Sequence, residues 1–184
     1  MSKIWVTSDT HFNHVNILTY CPNRKFASLE AMNDSIMIDW NSRVAAGDTV
    51  YFLGDFAMGP KDKHLGFLSQ LNGNIKIVPG NHDRHLEKVA KTGGLPPHVE
   101  MLPPIFNIKV DVKCSDVLTV HKYFVLCHFP MEEWEGMAGH SSDNITGSIH
   151  LHGHTHGNSV KKKDRWDVGY DVFGGPVLID PFLP

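Results

Sequence analysis

Short apolar runs alternate with amphipathic stretches through the first half of the chain. Lys3 to Ser8 (KIWVTS) is an apolar run that stops abruptly at Asp9, as a buried strand does on entering a loop. From Ser28 to Ala46, the apolar residues Leu29, Met32, Ile36 and Trp40 recur at helical spacing, with Ser28 placed as N-cap and Gly47 as a stop, so a helix is predicted. TVYFLGDF then reads as a strand ending at Gly54-Asp55, KDKHLGFLSQLNG as a second helix, and IKIVPGNHD as a strand ending at Gly80-Asn81-His82-Asp83. This βαβαβ order predicts a largely parallel sheet whose crossovers bring every strand C-terminus to one edge.

After a short helix in RHLEKVAKTGG the pattern changes. IFNIKVDVK, VLTV and YFVLCHF are β-rich stretches separated by Cys114-Ser115-Asp116 and His121-Lys122, which predicts a second, more antiparallel sheet. SIHLHGHTH reads as another strand, KKKDR as a charged turn, and WDVGYDVFGGPVLI as a closing hairpin. The stretch Pro130 to Gly147 lacks periodicity and is rich in Gly, Ser and Asn, so it reads either as a long functional loop able to act as a modest lid or as a solvated connection.

Residues two apart on an extended strand project from the same face, so HLHGHTHG would stack His150, His152, His154 and His156 on one surface. With 13 histidines in the chain that clustering alone is weak, but the strand ends supply partners. They deliver Asp9 and His11, then Asp55, then Asn81 and His82, then His128, then His154 and His156. These are oxygen and nitrogen donors without a thiolate, which suits hard or borderline divalent ions: Mn first, with Fe, Zn, Mg or Ni as alternatives. There are too many for one tetrahedral site, and they suit two metals sharing a carboxylate. Asn81 would bind through its side-chain oxygen, because the amide nitrogen has no free lone pair.

Composition narrows the classes. A length of 184 residues with 41% hydrophobic content fits one domain over 1–184 with a single sizeable core and no separate cap domain. A formal net charge of -3 gives no global attraction to nucleic acid or to an anionic membrane, so a nucleic-acid partner would need a local patch. No apolar run is long enough to span a bilayer, and the N-terminus carries no signal-like apolar core, so a cytoplasmic protein is expected. Three widely spaced cysteines fit a reducing compartment, with Cys127 as an inert buried thiol.

Five blocks in order, Asp9-Thr10-His11, Gly54-Asp55, Gly80-Asn81-His82-Asp83, His128 and Gly153-His154-Thr155-His156, resemble the calcineurin-like metallophosphoesterases, in particular their compact single-domain bacterial and phage members. The resemblance implies an α/β fold (α+β by some schemes) of two mixed sheets packed as a sandwich flanked by helices, a four-layer αββα arrangement with the metal site at the C-terminal edge of the strands. It also implies that Asp9, His11 and His156 hold one metal, that Asn81, His128 and His154 hold the other, and that Asp55 bridges them. Such a pair would activate a shared water for in-line attack on phosphorus. By the same resemblance His82 is the general acid, with Asp83 expected either to orient its ring or to cap the helix that starts at Arg84. His150 and His152 are expected to pack or to orient the donors.

The substrate is less legible. GDFAMGPKD carries no arginine of the kind that family protein phosphatases have after the second block, so a phosphodiester of nucleotide type leads, ahead of a small phosphorylated metabolite. Candidate phosphate contacts are Arg84 and His14, then Arg24, Lys25, Arg43 and Lys61, with Phe12 and Trp134 as candidate stacking rings. Lys161 to Arg165 is a basic run that reads as a solvated turn or as a guide for a polyanion. A non-catalytic interaction scaffold and a metal-binding module are the rival classes, and both sit poorly with a complete donor set that includes His82 and Asp55. Oligomeric state has no signature in the chain.

Overall fold

The structure, a computed structural model, describes residues 2–113, 119–138 and 147–182. Five strands, β1 (Ile4–Thr7), β2 (Thr49–Phe52), β3 (Asn74–Ile77), β4 (Val99–Met101) and β9 (Val177–Leu178), form one sheet in the order β4-β3-β2-β1-β9. The pairs among β1 to β4 are parallel, and β9 pairs antiparallel to β1. The second sheet runs β5 (Ile105–Lys113), β6 (Thr119–Cys127), β7 (Ile149–His152) and β8 (Arg165–Asp167), with β5/β6 antiparallel and the other two pairs parallel. Helices α1 (Ile17–Tyr20), α2 (Leu29–Arg43), α3 (Lys61–Leu68), α4 (Arg84–Lys91) and α5 (Tyr170–Phe173) complete the elements. This is the expected α/β architecture of two mixed sheets flanked by helices.

The first sheet is buried on both faces, and the alternation along β2 shows how. Val50 and Phe52 point into a cluster with Met32, Ile36 and Trp40 of α2, Leu68 of α3 and Leu86 of α4. Tyr51 and the following Leu53 face a second cluster with Phe124, Leu126, Ile149 and Leu151 of the other sheet. The period of two in a strand therefore divides each strand between a helix–sheet core and a sheet–sheet core. Each such side chain contributes about 1.5–3 kcal/mol on burial. Helix α2 starts where its cap predicts, with the Ser28 side chain accepting from the Ala31 N–H at 3.1 Å.

Three expectations change. The terminal stretch is not a hairpin: β8 extends the second sheet beside β7, β9 extends the first beside β1, and one turn of helix lies between them. Gly174, left-handed at φ 71°, ends that turn and redirects the chain to the other sheet. His121-Lys122 does not separate two strands but lies inside β6, where His121 Nδ1 pairs with Asp111 of β5 at 2.7 Å. And β7 ends at His152, so the four histidines do not share one strand face. His150 and His152 are strand residues, whereas His154 and His156 sit in a loop at positive φ, 69° and 49°.

The lid expected at 130–147 lies partly outside the described residues, which omit 139–146. Its described part packs down on the outer face of the second sheet: the Trp134 ring stands 5.3 Å from that of His150, and its Nε1 donates to Ser148 O at 3.2 Å. Among the described residues no helix is long and apolar enough to cross a membrane.

Candidate metal centre

Parallel pairing places the C-terminal ends of β1, β2 and β3 side by side, and the loops that follow carry the candidate donors. The β6 and β7 ends of the second sheet arrive at the same place, joined by the Gly153 N–H donating to His128 O at 3.0 Å. Two groups of side chains there have donor atoms within 4.8 Å of one another: Asp9, His11 and His156, and Asp55, His128 and His154. Asp55 lies between the groups, its Oδ2 3.4 Å from His128 Nε2 and 3.6 Å from His11 Nε2. Asn81 Oδ1 is 3.1 Å from His128 Nε2. All the residues predicted as metal donors are thus brought together.

The backbone is bent to do this. Asp9, His11, Asp55, His154 and His156 all have positive φ, between 49° and 69°, a region that costs a non-glycine residue about 1 kcal/mol or more. Hydrogen bonds hold the bends: Asp9 N–H to Gly54 O at 2.9 Å, His11 N–H to Asp55 O at 3.1 Å, and His154 N–H to both Asp9 oxygens at 2.9 and 3.1 Å. Close approach fixes two glycines. A Cβ on Gly80 would stand 2.3 Å from Asp55 Oδ1, and one on Gly153 2.0 Å from Ser8 Oγ and 2.3 Å from Asp9 Oδ2.

The protonation pattern fits a cation. His128 Nδ1–H donates to Leu53 O at 2.7 Å and His156 Nδ1–H to Asp171 at 2.6 Å, so a proton lost from Nε2 leaves that lone pair facing the centre in each ring. His11 Nε2 is buried without a hydrogen-bond partner and faces two carboxylates. Burial holds the His11 ring neutral, down to about 2, despite Asp55. Burial pushes the Asp9 carboxyl up to about 7 against the pull of His128 and His156, while Asp55, though burial raises it, is held down to about 2 by its hydrogen bond and charge interaction with His128. Burial disfavours charge on His128 and His156, but their carboxylate neighbours Asp55, Asp171 and Asp9 raise both above the ordinary imidazole value, so these rings carry protons that a divalent ion would displace.

His82 stands at the mouth of the centre, its side chain 36% exposed and its Nε2 3.9 Å from Asp55 Oδ2. Asp83 neither touches that ring nor caps α4 through its side chain. Its fully buried carboxylate accepts from the N–H groups of Asp55 (2.7 Å), Gly80 (2.8 Å) and Phe56 (3.0 Å), tying the β2 loop to the β3 loop. These three backbone donors occupy the carboxylate and no hydrogen bond joins it to the His82 ring, in place of the expected contact with His82. His14 lies at the rim, with its Nδ1 3.1 Å from His11 Nδ1 and its ring 6.0 Å from that of His82. Arg84 is exposed at the start of α4.

The remaining phosphate and stacking candidates are drawn elsewhere. Arg24 is buried beneath the site and bonded to Asp171, Thr10 O and Asp9 O. Arg43 is paired with Asp39, and Lys25 and Lys61 are exposed. Phe12 is fully buried and stacked on Phe67, and Trp134 is buried against His150. In the basic run, Arg165 is buried and, like Lys162, bonded to Glu132, so that part of the run is structural. The inert-thiol expectation for Cys127 agrees with its burial, which raises its pKa. Cys21 lies near His156 and Asp171, but burial, followed by the Asp171 charge, pushes its thiol up to about 11 and keeps it protonated.

Two residues near the centre escape sequence reading. Asp171 orients His156, yet it stands in a stretch that reads as a hairpin, and only the placement of α5 brings it to the ring. Phe129, 45% exposed, has its ring 4.7 Å from that of His154; its position directly after His128 is the one signal that could have marked it.

The sequence model of the calcineurin-like phosphoesterases matches residues 2–166. An uncharacterised protein of Methanocaldococcus jannaschii is 47% identical over 90 residues, 48% of this chain and 51% of that protein, so the match spans about half of that relative. A symmetrical bis(5'-nucleosyl)-tetraphosphatase of Vibrio cholerae is 35% identical over 98 residues, 49% of this chain and 35% of that protein. A solved structure of a protein of unknown function from Aquifex aeolicus shares the fold, with a TM-score of 0.68 and 20% identity over 98% of this chain and 97% of its own.

Proposed function

The chain belongs to the calcineurin-like phosphoesterases, and from that premise we propose that it is a binuclear metal-dependent hydrolase of phosphodiesters of nucleotide type. The observation that carries this reading is Asp55, within 3.6 Å of a histidine nitrogen from each donor group. Asp9, His11 and His156 would hold one divalent cation and Asn81, His128 and His154 the other, with Asp55 shared. Such ions supply Lewis acidity to the phosphoryl oxygens and lower the pKa of a water nucleophile. Manganese is the first choice for these oxygen and nitrogen donors.

The protein's own part is positional and acid–base. The hydrogen bonds of Leu53 O and Asp171 fix which nitrogen of His128 and His156 faces inward. Water adds to phosphorus, the bond to the leaving oxygen breaks, and His82 delivers the proton which that oxygen needs. Asp83 fixes the loops that carry Asp55 and His82. No arginine follows Asp55 in GDFAMGPKD, which disfavours phosphoprotein substrates, and the Vibrio cholerae relative is named for a nucleotide substrate. The free, buried Cys21 and Cys127 fit a reducing cytoplasm.

Hydrolysis of bis(p-nitrophenyl) phosphate and p-nitrophenyl phosphate by the manganese-loaded protein, with a chelator control, tests the reading. A higher kcat/KM for the diester, lost with chelator, is expected. Preference for the monoester would make it a phosphomonoesterase of small metabolites, and activity on neither would contradict hydrolysis of simple esters.

A further inference from the structure

Beside His82, the loop after β2 and the first turns of α3 and α4 line an open cavity of about 530 Å³. Asn81 and His82 form part of its wall, so the cavity and the metal centre share a boundary. The other polar groups of the wall are His64, Arg84, His85 and Lys88, and no carboxylate lines it. Arg84 and Lys88 are one helical turn apart on α4, while Leu86 and Val89 turn the opposite way into the protein. Among the described residues none of Arg84, His85 and Lys88 enters an ion pair, unlike Arg24, Arg43 and Arg165, which are each held by a carboxylate.

His64 is the buried polar member of this wall. It is 1% exposed, its Nε2–H donates to Gly59 O at 3.1 Å, and its Nδ1 has no partner. The tautomer set by that bond leaves Nδ1 as an acceptor in want of a donor. The wall thus offers cations for an anion, with the buried His64 ring behind them. Its volume lies in the range of small-molecule sites.

We propose that this cavity is a second anion subsite, which takes the non-reacting phosphate and attached sugar of a nucleoside polyphosphate whose reacting phosphate lies at the Asp9–Asp55–His154 centre. The inference rests on the phosphoesterase reading and names its substrate class. A nucleic-acid strand fits less well, because Lys162 and Arg165 of the basic run are tied to Glu132 and the chain is net negative at -3.

Calorimetry on the manganese-loaded protein, comparing α,β-methylene-ADP with AMP, tests it. The diphosphate analogue is expected to bind at least tenfold tighter than AMP, and Lys88→Glu and Arg84→Ala, each at an exposed position, are expected to remove most of that advantage. Equal affinity in the wild type, an advantage that survives both substitutions, or tighter binding of a single-stranded oligonucleotide than of either nucleotide would overturn the proposal. Hydrolysis of bis(p-nitrophenyl) phosphate by the same sample separates the two ideas. Turnover without the diphosphate advantage removes the subsite alone, and the advantage without turnover removes the phosphoesterase reading alone.

Discussion

Asp171 accepts a 2.6 Å hydrogen bond from His156 Nδ1 and, on the same carboxylate, two 2.8 Å bonds from Arg24. Arg24 in turn donates to the carbonyls of Asp9 and Thr10, so one buried ion pair fixes both ends of the first donor group. Burial opposes its ionisation, but Arg24 and then His156 outweigh that and hold the Asp171 carboxyl well below the usual range. Asp171→Asn is expected to weaken metal binding ten- to a hundredfold. Arg24 would lose its charge partner, at about 3 kcal/mol. Metal titration together with melting curves checks both effects, and an unchanged metal affinity would remove Asp171 from the site.

His82 and Asp55 separate chemistry from metal binding. His82→Ala is expected to keep both metals and lose about 10²- to 10⁴-fold in turnover, as for a missing general acid. Asp55→Ala is expected to lose metal as well as activity. Metal analysis beside steady-state kinetics distinguishes them, and equal metal content with equal activity in the two variants would sink the assignment.

Gly153 is a steric prediction. An alanine Cβ would press on Ser8 and Asp9 at 2.0 and 2.3 Å, so Gly153→Ala should destabilise the fold by about 1–3 kcal/mol and lower metal occupancy through Asp9. Urea unfolding and metal analysis read the two effects; wild-type values in both would show that the strand ends separate freely there.

His150 gives a pH prediction. Fully buried, it donates from Nδ1 to Val125 O and accepts at Nε2 from Met131 N–H, and burial lowers its pKa to about 4. Between the unfolded value of about 6.5 and about 4, the unfolded chain binds a proton that the folded ring refuses, so stability falls as pH falls through that window. The loss approaches about 3 kcal/mol at the lower end. His150→Gln should show a shallower decline than wild type in urea unfolding from pH 7 to pH 4.5, and parallel curves would contradict the neutral ring.

How far the sequence was readable follows from which physics sets each part. The runs ending at Asp9, Asp55 and Asn81 were legible because parallel strands buried on both faces are apolar and must stop where polar donors begin. The closing stretch was not, because β8 and β9 belong to different sheets and nothing local in WDVGYDVFGGPVLI tells which strand each will join. For the same reason Asp171 stayed hidden, and Arg24, which forms a buried ion pair with a residue 147 positions away, read as a candidate phosphate contact. The four-histidine repeat misled where strand periodicity was extended past His152 into residues whose backbone is left-handed.

The central claim is that two metal ions, held around Asp55, are both needed for hydrolysis. Manganese titrated into chelator-stripped protein while bis(p-nitrophenyl) phosphate hydrolysis is followed tests it most directly. Activity should rise to a plateau at two equivalents per chain and remain near background at the first. A plateau at one equivalent, or turnover independent of metal, would contradict the account.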